Sequence, residues 1–545
     1  MRSYSPYIAG RDAEPSKWIY CLRASALLDD AFGALSLKRE LDRGAEPDPA
    51  DTRIAGRVGL SSLAQSEAAL QAAHEAQRQW AKVPFKERLA FGAAFHAALR
   101  DRVDEFVDVL VAEGHPRRLA QWEVAGCITG SSSETLAANA EMMEFSQRVG
   151  QREVRLVRKA DGVVCLSPPQ NAAASNSLLG ISALIAGNSL VVKAPRSTPL
   201  GVAWAWREIA APLLEEFGAP PGTLSIVCGA PRALLDQWLS SPYVDDIMYF
   251  GDSARGIELG NECSRNGKKP VLELAGNDGV LVWKDAELDL AARALSECFY
   301  GSSQICMVPK YVLAHPDIAD ELTARLVKLV EQLRPGRPEA EDAVLSPVMK
   351  TADFFTVLEE SLAAGATLVR GGERMDYDGT ISSSGVFVTP TVLRVDGLQA
   401  AEQVRAVREE TFFPMLPVVV PSPASDAEIL QDAIAFINGN RYGLRNSLWA
   451  RDPGVIDAFC DEVGNGGLLK INDSHLGFVP SLPTHGGTGL TGGVFGECNF
   501  PMLRTSHLQG ISIATDVTPR ISVFDSALPP GQAAVPAPET EGATR

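Results

Sequence analysis

The sequence predicts an α/β protein with two successive sheets of mostly parallel strands and one small additional β element. Three observations support this: a strand–helix alternation that begins near residue 162, a second alternation that begins near residue 280, and a chain of 545 residues. A chain of this length exceeds what one hydrophobic core usually serves, so two or three domains are expected.

The elements of the first half follow from the spacing of apolar residues. Apolar residues at helical spacing from Ala64 to Leu110 predict a run of amphipathic helices. Polar and apolar residues alternate over 153–158, which predicts a half-exposed strand. Short apolar runs then predict buried strands at 162–166, 189–192, 223–227 and 246–250, with helices at 176–185 and 200–217. Repeated strand–helix units imply a parallel sheet covered by helices on both faces.

The second alternation starts near Val280. It continues through a strand at 311–313, a helix at 318–333 and a strand at 416–420. Two α/β sheets in tandem suggest a cleft between them in which a ligand binds.

The charge and the cysteine and histidine content limit the kinds of molecule that the protein is expected to bind. The formal net charge of -18 argues against nucleic acid and against an anionic membrane. It also means that an anionic ligand must be held by local positive groups. Nine cysteines without CxxC pairs favour reduced thiols in the cytoplasm, and the seven histidines lack zinc-ligand spacing, so no metal site is predicted.

The two ends of the chain carry weak signals. No signal-peptide pattern follows Met1, and the most apolar run, 178–192, is interrupted by polar residues and glycines, so no membrane span is predicted. Residues 1–50 receive no assignment beyond an N-terminal extension. After Thr515 the composition shifts to Pro, Ala, Gly and Glu, which predicts a disordered tail over 516–545.

Cys306 is the candidate nucleophile. It ends the segment Phe299-Tyr300-Gly301-Ser302-Ser303-Gln304-Ile305-Cys306, roughly thirty residues after Glu273 in Val271-Leu272-Glu273-Leu274-Ala275-Gly276-Asn277. A thiolate beside backbone amides can attack a carbonyl carbon, and a glutamate from a separate segment can activate the water that later releases the acyl group.

With these segments, and those below, the chain resembles the aldehyde dehydrogenase superfamily over roughly residues 50–510. The resemblance implies a Rossmann-like cofactor domain, an α/β catalytic domain and a small β oligomerisation element. It implies NAD(P)-dependent oxidation of an aldehyde to a carboxylic acid through a cysteine thiohemiacetal and thioester, with Cys306 as nucleophile and Glu273 as general base. Two departures are Ser303 and Ala275, which stand where the family usually has glycine.

Asn171 in Ser167-Pro168-Pro169-Gln170-Asn171 resembles the asparagine that helps form the family's oxyanion hole. Counted from Pro169, the spacing is that of aldehyde-oxidising members. Counted from Pro168, it matches the CoA-acylating branch, whose members commonly lack a glutamate at the position of Glu273. A CoA-acylating dehydrogenase or acyl-thioester reductase therefore remains an alternative, as does a catalytically weak scaffold with the same fold.

Cofactor preference depends on the segment after the strand at 189–192. Lys193 matches the lysine that reaches the adenosine ribose. Arg196 stands where many NAD-preferring members have a glutamate that holds the ribose 2′-OH. An arginine there attracts a 2′-phosphate instead, so the cofactor is expected to be NADP or NAD, with NADP slightly favoured.

Further cofactor contacts follow from the resemblance. Gly229 matches a glycine near the cofactor, and Gly251-Asp252 opens a helix whose N-terminal amides favour a pyrophosphate. Glu410 would bind the nicotinamide ribose and Phe412 would pack near the ring. His485 occupies a position that is normally aromatic, so a structural role is expected for it.

The resemblance also implies domain boundaries. The cofactor-binding domain comprises 51–150 and 162–278, the catalytic domain 279–498, and the oligomerisation element 151–161 and 499–515. A strand near 152–158 is expected to pair with a late strand around 504–513. Such a strand arm needs a partner to cover its edge, so a homodimer or homotetramer is expected.

Overall fold

The computed structural model describes residues 1–150 and 152–514. Its amino-terminal region, which the sequence leaves unassigned, is folded. The elements are β1 Arg2–Tyr4, β2 Tyr7–Ile8, β3 Arg11–Asp12, β4 Lys17–Leu22, α1 Ala24–Asp29, α2 Ala31–Asp42 and β5 Ile54–Leu60. β4 and β5 pair antiparallel, and β1 pairs parallel with β5. Helices α1 and α2 therefore lie in the connection between the paired strands β4 and β5.

The predicted run of amphipathic helices is confirmed. It consists of α3 Leu63–Trp80, α4 Phe85–Asp101, α5 Val103–Ala112, α6 Arg117–Gly130 and α7 Ser133–Glu141, followed by the strands β6 Glu144–Val149 and β7 Arg152–Ala160. α3 begins with a capping box, in which Ser62 accepts a hydrogen bond from the Gln65 amide and Gln65 returns one to the Ser62 amide. The Trp80 indole at its other end donates to the carbonyl of Leu184, which ties the helix to the first sheet.

The first sheet contains the predicted buried strands. Its elements are β8 Val163–Ser167, α8 Ala173–Ser177, α9 Gly180–Ala186, β9 Ser189–Ala194, α10 Leu200–Trp204, a π-helical turn Ala205–Ala210, α11 Ala211–Glu216, β10 Leu224–Cys228, α12 Pro231–Ser240, β11 Asp246–Phe250, α13 Ser253–Arg265 and β12 Lys269–Glu273. The strand order is β12-β11-β8-β9-β10-β2-β3, parallel from β12 to β10. The strand order reverses between β8 and β11, and α/β proteins bind ligands at the carboxyl ends of strands at such a point.

The second sheet is also seven-stranded. The elements of this half of the chain are β13 Asp278–Val282, α14 Leu288–Ser296, a 3₁₀ turn Glu297–Ser303, β14 Pro309–Ala314, α15 Ala319–Val330, α16 Thr351–Ala363, β15 Thr367–Arg370, β16 Arg374–Met375, β17 Phe387–Val388, β18 Thr391–Asp396, α17 Leu398–Ala401, α18 Arg405–Arg408, β19 Met415–Val420, α19 Asp426–Asn438, β20 Tyr442–Gly443, β21 Arg445–Trp449, α20 Pro453–Glu462, β22 Leu468–Ile471, β23 Thr488–Gly489, α21 Pro501–Arg504 and β24 Ser506–Ala514. The order is β15-β18-β19-β14-β13-β21-β22, with only the edge strand β15 antiparallel. The prediction of two α/β sheets in tandem is confirmed.

A third sheet joins distant parts of the chain. β7 pairs antiparallel with β24 over its whole length, as the sequence predicts, and β6 adds a third strand that the sequence analysis missed. Its role in assembly stays a prediction. Residues 151 and 515 and the predicted tail at 516–545 lie outside the described residues.

None of the helices in the described ranges is both long and apolar enough to span a bilayer. In the same ranges, His, Cys, Asp and Glu side chains do not gather in groups of three or more that could hold a metal ion.

Candidate active site

Cys306 follows a turn with an unusual backbone. Gly301, Ser302 and Ser303 all have positive φ, at 60°, 55° and 62°. This left-handed conformation costs a residue with a Cβ roughly 1–2 kcal/mol. Hydrogen bonds hold the turn: Ser302 Oγ donates to the carbonyl of Ser346 at 2.6 Å, and Lys310 Nζ donates to the carbonyl of Ser303 at 3.0 Å. Ser303 therefore adopts a conformation that glycine would adopt at less cost.

The surroundings of Cys306 keep its thiol protonated in this structure. Burial, together with the carboxyl groups of Glu410 and Asp278, raises the pKa of Cys306 to about 12. Gly276 lies against the Cys306 backbone, because a Cβ at that glycine would be 2.5 Å from the Cys306 carbonyl oxygen. This close approach brings the end of β12 to the cysteine loop.

Asn171 connects the first sheet to the cysteine loop. It follows β8, and its Nδ2 donates a hydrogen bond to the carbonyl of Gln304 at 2.9 Å. An asparagine amide has two N–H donors, so the second one remains for another acceptor. Asn171 and Cys306 line the same cavity.

Glu273 ends β12 and is only 5% exposed. It accepts hydrogen bonds from the Gly486 amide at 2.8 Å and from Asn499 Nδ2. Burial raises the pKa of Glu273 to about 8, against the lowering effect of the Gly486 amide and of Arg504. Asn499 lines the cavity of Cys306, whereas Glu273 lies behind it, one hydrogen bond away from the cavity wall.

The predicted cofactor residues lie at one edge of the first sheet. Lys193 is the penultimate residue of β9, Gly229 follows β10, and Gly251 follows β11. Lys193 is 5% exposed, and burial lowers the pKa of its ammonium group. Lys193 and Arg196 line a second cavity of about 430 Å³.

At the start of α13, Asp252 Oδ1 accepts a hydrogen bond from the Arg255 amide at 2.9 Å. One of the N-terminal amides of α13 is therefore already hydrogen-bonded to the carboxylate of Asp252. The Gly251 amide donates to the carbonyl of Glu273 at 3.2 Å. A Cβ at Gly251 would lie 2.4 Å from the hydroxyl of Tyr249, so a side chain there would require the Tyr249 ring to move.

Glu410 and Phe412 lie on the second sheet's side of the site. Glu410 Oε1 accepts a hydrogen bond from the Gly276 amide at 2.9 Å. Burial raises the pKa of Glu410 to about 7, opposed by the nearby charge of Lys310. Lys310 Nζ is 5.1 Å from the centre of the Phe412 ring.

A buried polar network next to the cysteine loop was missed from the sequence. Arg445 donates to the carbonyls of His475 and Thr484, each at 2.6 Å, and contacts Met307 Sδ at 3.3 Å. His475 Nε2 lies 3.2 Å from Asp278 Oδ2. The signal in the sequence was Arg445 itself, a charged residue at the first position of β21, a strand that is buried throughout.

His485 also lines the cavity. Burial and the charge of Arg445 lower the pKa of His485 to about 3, so the ring is neutral at ordinary pH. Thr484 Oγ1 lies 2.6 Å from its Nδ1, and its Nε2 is buried without a partner among the described residues. A ring with so low a pKa is a weak base, which is consistent with the structural role expected for His485.

The cavity at Cys306 has a volume of about 640 Å³. Most of its wall is apolar, and Trp122 and Phe478 stack there with ring centres 5.1 Å apart. Its polar residues include His115 and Glu123, and His115 Nδ1 lies 2.7 Å from Glu123 Oε1. A cavity of this size and lining accommodates a sizeable organic molecule.

A doubly wound sheet with basic side chains at its carboxyl edge lies next to a second α/β sheet, and a cavity with a cysteine in its wall is lined from both. This arrangement is typical of NAD(P)-dependent oxidoreductases. The sequence profile of the aldehyde dehydrogenase family matches residues 39–498. The chain therefore belongs to the aldehyde dehydrogenase family and is an NAD(P)-dependent aldehyde dehydrogenase.

Individual relatives agree with this assignment. The chain is 29% identical to a vanillin dehydrogenase of Corynebacterium glutamicum over 444 residues, which cover 80% of this chain and 87% of the relative. It is 27% identical to an NAD⁺-dependent benzaldehyde dehydrogenase of Pseudomonas putida, covering 82% of this chain and 89% of the relative. The structure of a salicylaldehyde dehydrogenase from Pseudomonas putida G7 superposes with a TM-score of 0.77 at 20% identity, covering 96% of this chain and 100% of the other. The last comparison establishes the shared fold.

Proposed function

We propose that this protein oxidises an aldehyde to a carboxylic acid, with Cys306 as nucleophile, Asn171 as oxyanion donor and Glu273 as general base. The observation that carries the proposal is the meeting of three segments at one cavity. Asn171 is hydrogen-bonded to the loop of Cys306, and the carboxyl group of Glu273 is hydrogen-bonded to Asn499 in the cavity wall.

In the first half-reaction, Cys306 Sγ adds to the carbonyl carbon of the aldehyde. Because the pKa of the thiol is about 12, its proton must pass to solvent as the carbon–sulfur bond forms. The free N–H of Asn171 and the backbone N–H of Cys306 would donate to the oxyanion. Glu410 and Phe412 would hold the nicotinamide, and the cofactor would supply the hydride acceptor, so that the acyl group would be left on Cys306 as a thioester.

In the second half-reaction, water replaces the sulfur on the acyl carbon. Glu273 takes a proton from that water, and the Cys306 thiol is regenerated as the acid leaves. A carboxyl group with a pKa of about 8 is present in both protonation states near neutral pH, which suits a general base. Glu273 must exchange its hydrogen bond with Asn499 for one with the water.

For the cofactor, Lys193 would reach the adenosine ribose, Arg196 a 2′-phosphate, Gly229 and Gly251 the dinucleotide backbone, and Glu410 and Phe412 the nicotinamide riboside. Lys193 and Arg196 fit this role because both line the second cavity. NADP is slightly favoured over NAD, since an arginine pairs with a phosphate. Asp252 opposes tight pyrophosphate binding, because its carboxylate lies at the same helix terminus.

We propose an apolar, aromatic aldehyde as the substrate class. The stacked pair Trp122 and Phe478 suits an aromatic ring, and offset ring pairs are favourable beyond the area that they bury. The relatives named above act on vanillin and benzaldehyde, which are aromatic aldehydes. The unpaired His485 Nε2 would give a polar ring substituent a hydrogen-bond partner in the same cavity.

Assembly and compartment complete the proposal. The sheet of β6, β7 and β24 would join two copies into a homodimer or homotetramer. A reducing compartment, the cytoplasm, is supported by nine cysteines that are all free thiols.

One observation favours a second candidate, the CoA-acylating reaction. Glu273 is hydrogen-bonded behind the cavity wall, and an acylating enzyme transfers the acyl group to CoA without activating water. Dependence of turnover on CoA separates the two candidates.

The test is the absorbance of reduced nicotinamide with purified protein, a panel of aromatic and aliphatic aldehydes, NADP or NAD, and CoA present or absent. Cys306→Ala is the active-site variant, and Cys460→Ala, which removes an exposed thiol of α20, is the matched control. We expect turnover without CoA that disappears only in Cys306→Ala. Turnover that requires CoA would establish the acylating reaction, and a folded protein without turnover on any aldehyde would support the scaffold alternative.

A further inference from the structure

The second cavity collects four cationic side chains from separate parts of the chain. Lys17 on β4, Lys38 on α2, and Lys193 and Arg196 at the end of β9 all line it. Lys17 and Lys38 precede the part of the chain that resembles the aldehyde dehydrogenase superfamily, and the resemblance assigns them no role. Four cations around one cavity are a marked local departure from a net charge of -18.

These cations are only partly neutralised by the protein. Lys38 Nζ lies 3.5 Å from Asp42 Oδ2, and Asp42 also lines the cavity. Both side chains are about one-third exposed, so the pair is a weak one. Lys17 and Arg196 have no carboxylate within 4.0 Å in the part of the chain that the structure describes. The site therefore retains a net positive charge.

Lys193 indicates that the cavity is built for a ligand. It is 5% exposed, yet its ammonium group has no hydrogen-bond acceptor within residues 1–150 and 152–514. Burying an ammonium group without a partner is costly, and burial indeed lowers its pKa. An anionic or hydroxyl-bearing ligand in the cavity would remove this cost.

The second cavity lies next to the cavity of Cys306. Gln170, the neighbour of Asn171, lines both, and its carbonyl accepts a hydrogen bond from Thr198 Oγ1 at 3.0 Å. A ligand that extends from one cavity to the other passes Gln170. A dinucleotide with its nicotinamide at Cys306 would have its adenosine end among the four cations.

We propose that Lys17 and Lys38, together with Arg196, bind the 2′-phosphate of NADP, so that the amino-terminal β4–α2 region sets the cofactor preference. The proposal rests on the proposed function. A phosphate monoester carries close to two negative charges at neutral pH and is favoured by several charge-assisted hydrogen bonds. The hydroxyl group of NAD offers no such charge, so the same cations discriminate between the two cofactors.

Calorimetric titration of the full-length protein with four ligands tests this: NADP⁺, NAD⁺, 2′,5′-ADP and 5′-AMP. The variants are Lys17→Gln, Lys38→Gln and Arg196→Gln, with Lys328→Gln on the exposed face of α15 as matched control. Each of the three variants should weaken NADP⁺ and 2′,5′-ADP about tenfold and leave NAD⁺ and 5′-AMP within about twofold. Unchanged NADP⁺ affinity, or an equal loss for NADP⁺ and NAD⁺, would overturn the proposal.

A second readout needs no variant. The NADP⁺ affinity of the unmodified protein should fall more steeply with salt than the NAD⁺ affinity, because more opposite charges pair in the NADP⁺ complex. Equal salt dependence would overturn the proposal. Failure of the proposed function is distinguishable: tight, lysine-dependent binding of 2′,5′-ADP without aldehyde turnover would refute the reaction and support the phosphate site.

Discussion

At the scale of single residues, burial controls the two groups that we propose for the chemistry. It raises the pKa of the Cys306 thiol to about 12 and that of the Glu273 carboxyl to about 8. Both groups are therefore mainly neutral at pH 7, one in the mostly apolar wall of the cavity and the other directly behind it. Charge must appear as the reaction proceeds, which makes the positions of the Asn171 amide and of Glu273 decisive.

Glu273 should determine how turnover depends on pH. The ionised fraction of a carboxyl group with a pKa of about 8 rises about tenfold from pH 7 to pH 9, so kcat should rise by about that factor where thioester hydrolysis limits the rate. In Glu273→Gln, kcat should fall at least about 100-fold and lose this pH dependence. Steady-state rates over that pH range check the prediction.

Glu273→Gln should lower kcat but raise the stability of the folded protein at high pH. Because the pKa of Glu273 is raised by folding, the folded state holds a proton that the unfolded state has lost, and stability falls as pH rises from about 4.5 to about 8. Glu273→Gln removes this loss, so its unfolding free energy at pH 9 should exceed that of the unmodified protein, by at most about 5 kcal/mol. Denaturant melts at pH 5 and pH 9 measure it, with exposed Glu75→Gln as control. A variant that is less stable at pH 9 would contradict a buried, protonated Glu273.

Asn171 should act on the rate rather than on binding. Asn171→Ala removes the side-chain donor of the proposed oxyanion hole, and the loss of one such donor costs about 100- to 1000-fold in kcat. The KM for the aldehyde should change little, since the donor acts mainly on the charge that develops at the oxygen. Steady-state kinetics with Asn266→Ala, a change at the end of α13, as control check this. A raised KM at unchanged kcat would assign Asn171 to substrate binding.

At the scale of elements, the connection between β4 and β5 is placed to affect the substrate cavity. Ala24, Leu27 and Leu28 of α1 line that cavity, and α1 is tied to the second half of the chain. Ser25 Oγ donates to Glu339 Oε1 at 2.9 Å, and Asp29 pairs with Arg337. A short helix without fully buried residues is held there by polar contacts.

Leu28→Trp should therefore change substrate choice. The larger side chain reduces the cavity volume, so kcat/KM should fall about tenfold or more for bulky aromatic aldehydes and much less for short aliphatic ones. Phe32→Trp, on the exposed side of α2, is the matched control. Kinetics across an aldehyde size series measure the effect. An equal loss for all sizes would place Leu28 outside the substrate path.

Several elements differ from the sequence-based expectations for local reasons. The helix expected at 176–185 is divided into α8 and α9 near Gly180, whose missing side chain leaves room for Leu190: a Cβ there would lie 2.6 Å from it. The helix expected at 200–217 contains a π-helical turn at 205–210. β6 was missed because all six of its residues are exposed, so no apolar pattern marks it.

At the scale of the whole molecule, the third sheet leaves apolar side chains in solvent. Phe145, Val149 and Leu508 are each more than half exposed, on strands β6 and β24. These strands are the two edges of the sheet, with unpaired backbone groups that favour association with another chain. The arrangement supports the proposed assembly.

Leu508→Glu should weaken that assembly. A carboxylate in place of an apolar side chain must be desolvated at an interface, so the dissociation constant should rise at least about tenfold. Sedimentation velocity across a concentration series measures it, with Leu63→Glu, an exposed leucine at the start of α3, as control. An unmodified protein that is monomeric at high concentration, or a variant that assembles normally, would exclude this surface as the interface.

The sequence by itself determined the two-sheet α/β architecture and the segments that carry Cys306, Glu273 and Asn171. Strand and helix periods are local properties, so they can be recognised in short windows of residues. The residue types of a motif are equally visible along the chain. The roles proposed for these residues still depend on the experiments above.

Only the tertiary structure decided which distant residues meet. Glu273 accepts a hydrogen bond from Asn499, 226 residues later in the chain, and this contact holds Glu273 behind the cavity wall. Arg445 lies in a buried network with His475 and near Asp278, although a charged residue in a strand pattern would ordinarily face solvent. Lys17 and Lys38 share a cavity with Arg196 because α2 packs against β4, beside the end of β9. Such contacts depend on how elements pack, and packing between segments far apart in the chain leaves no period in the sequence.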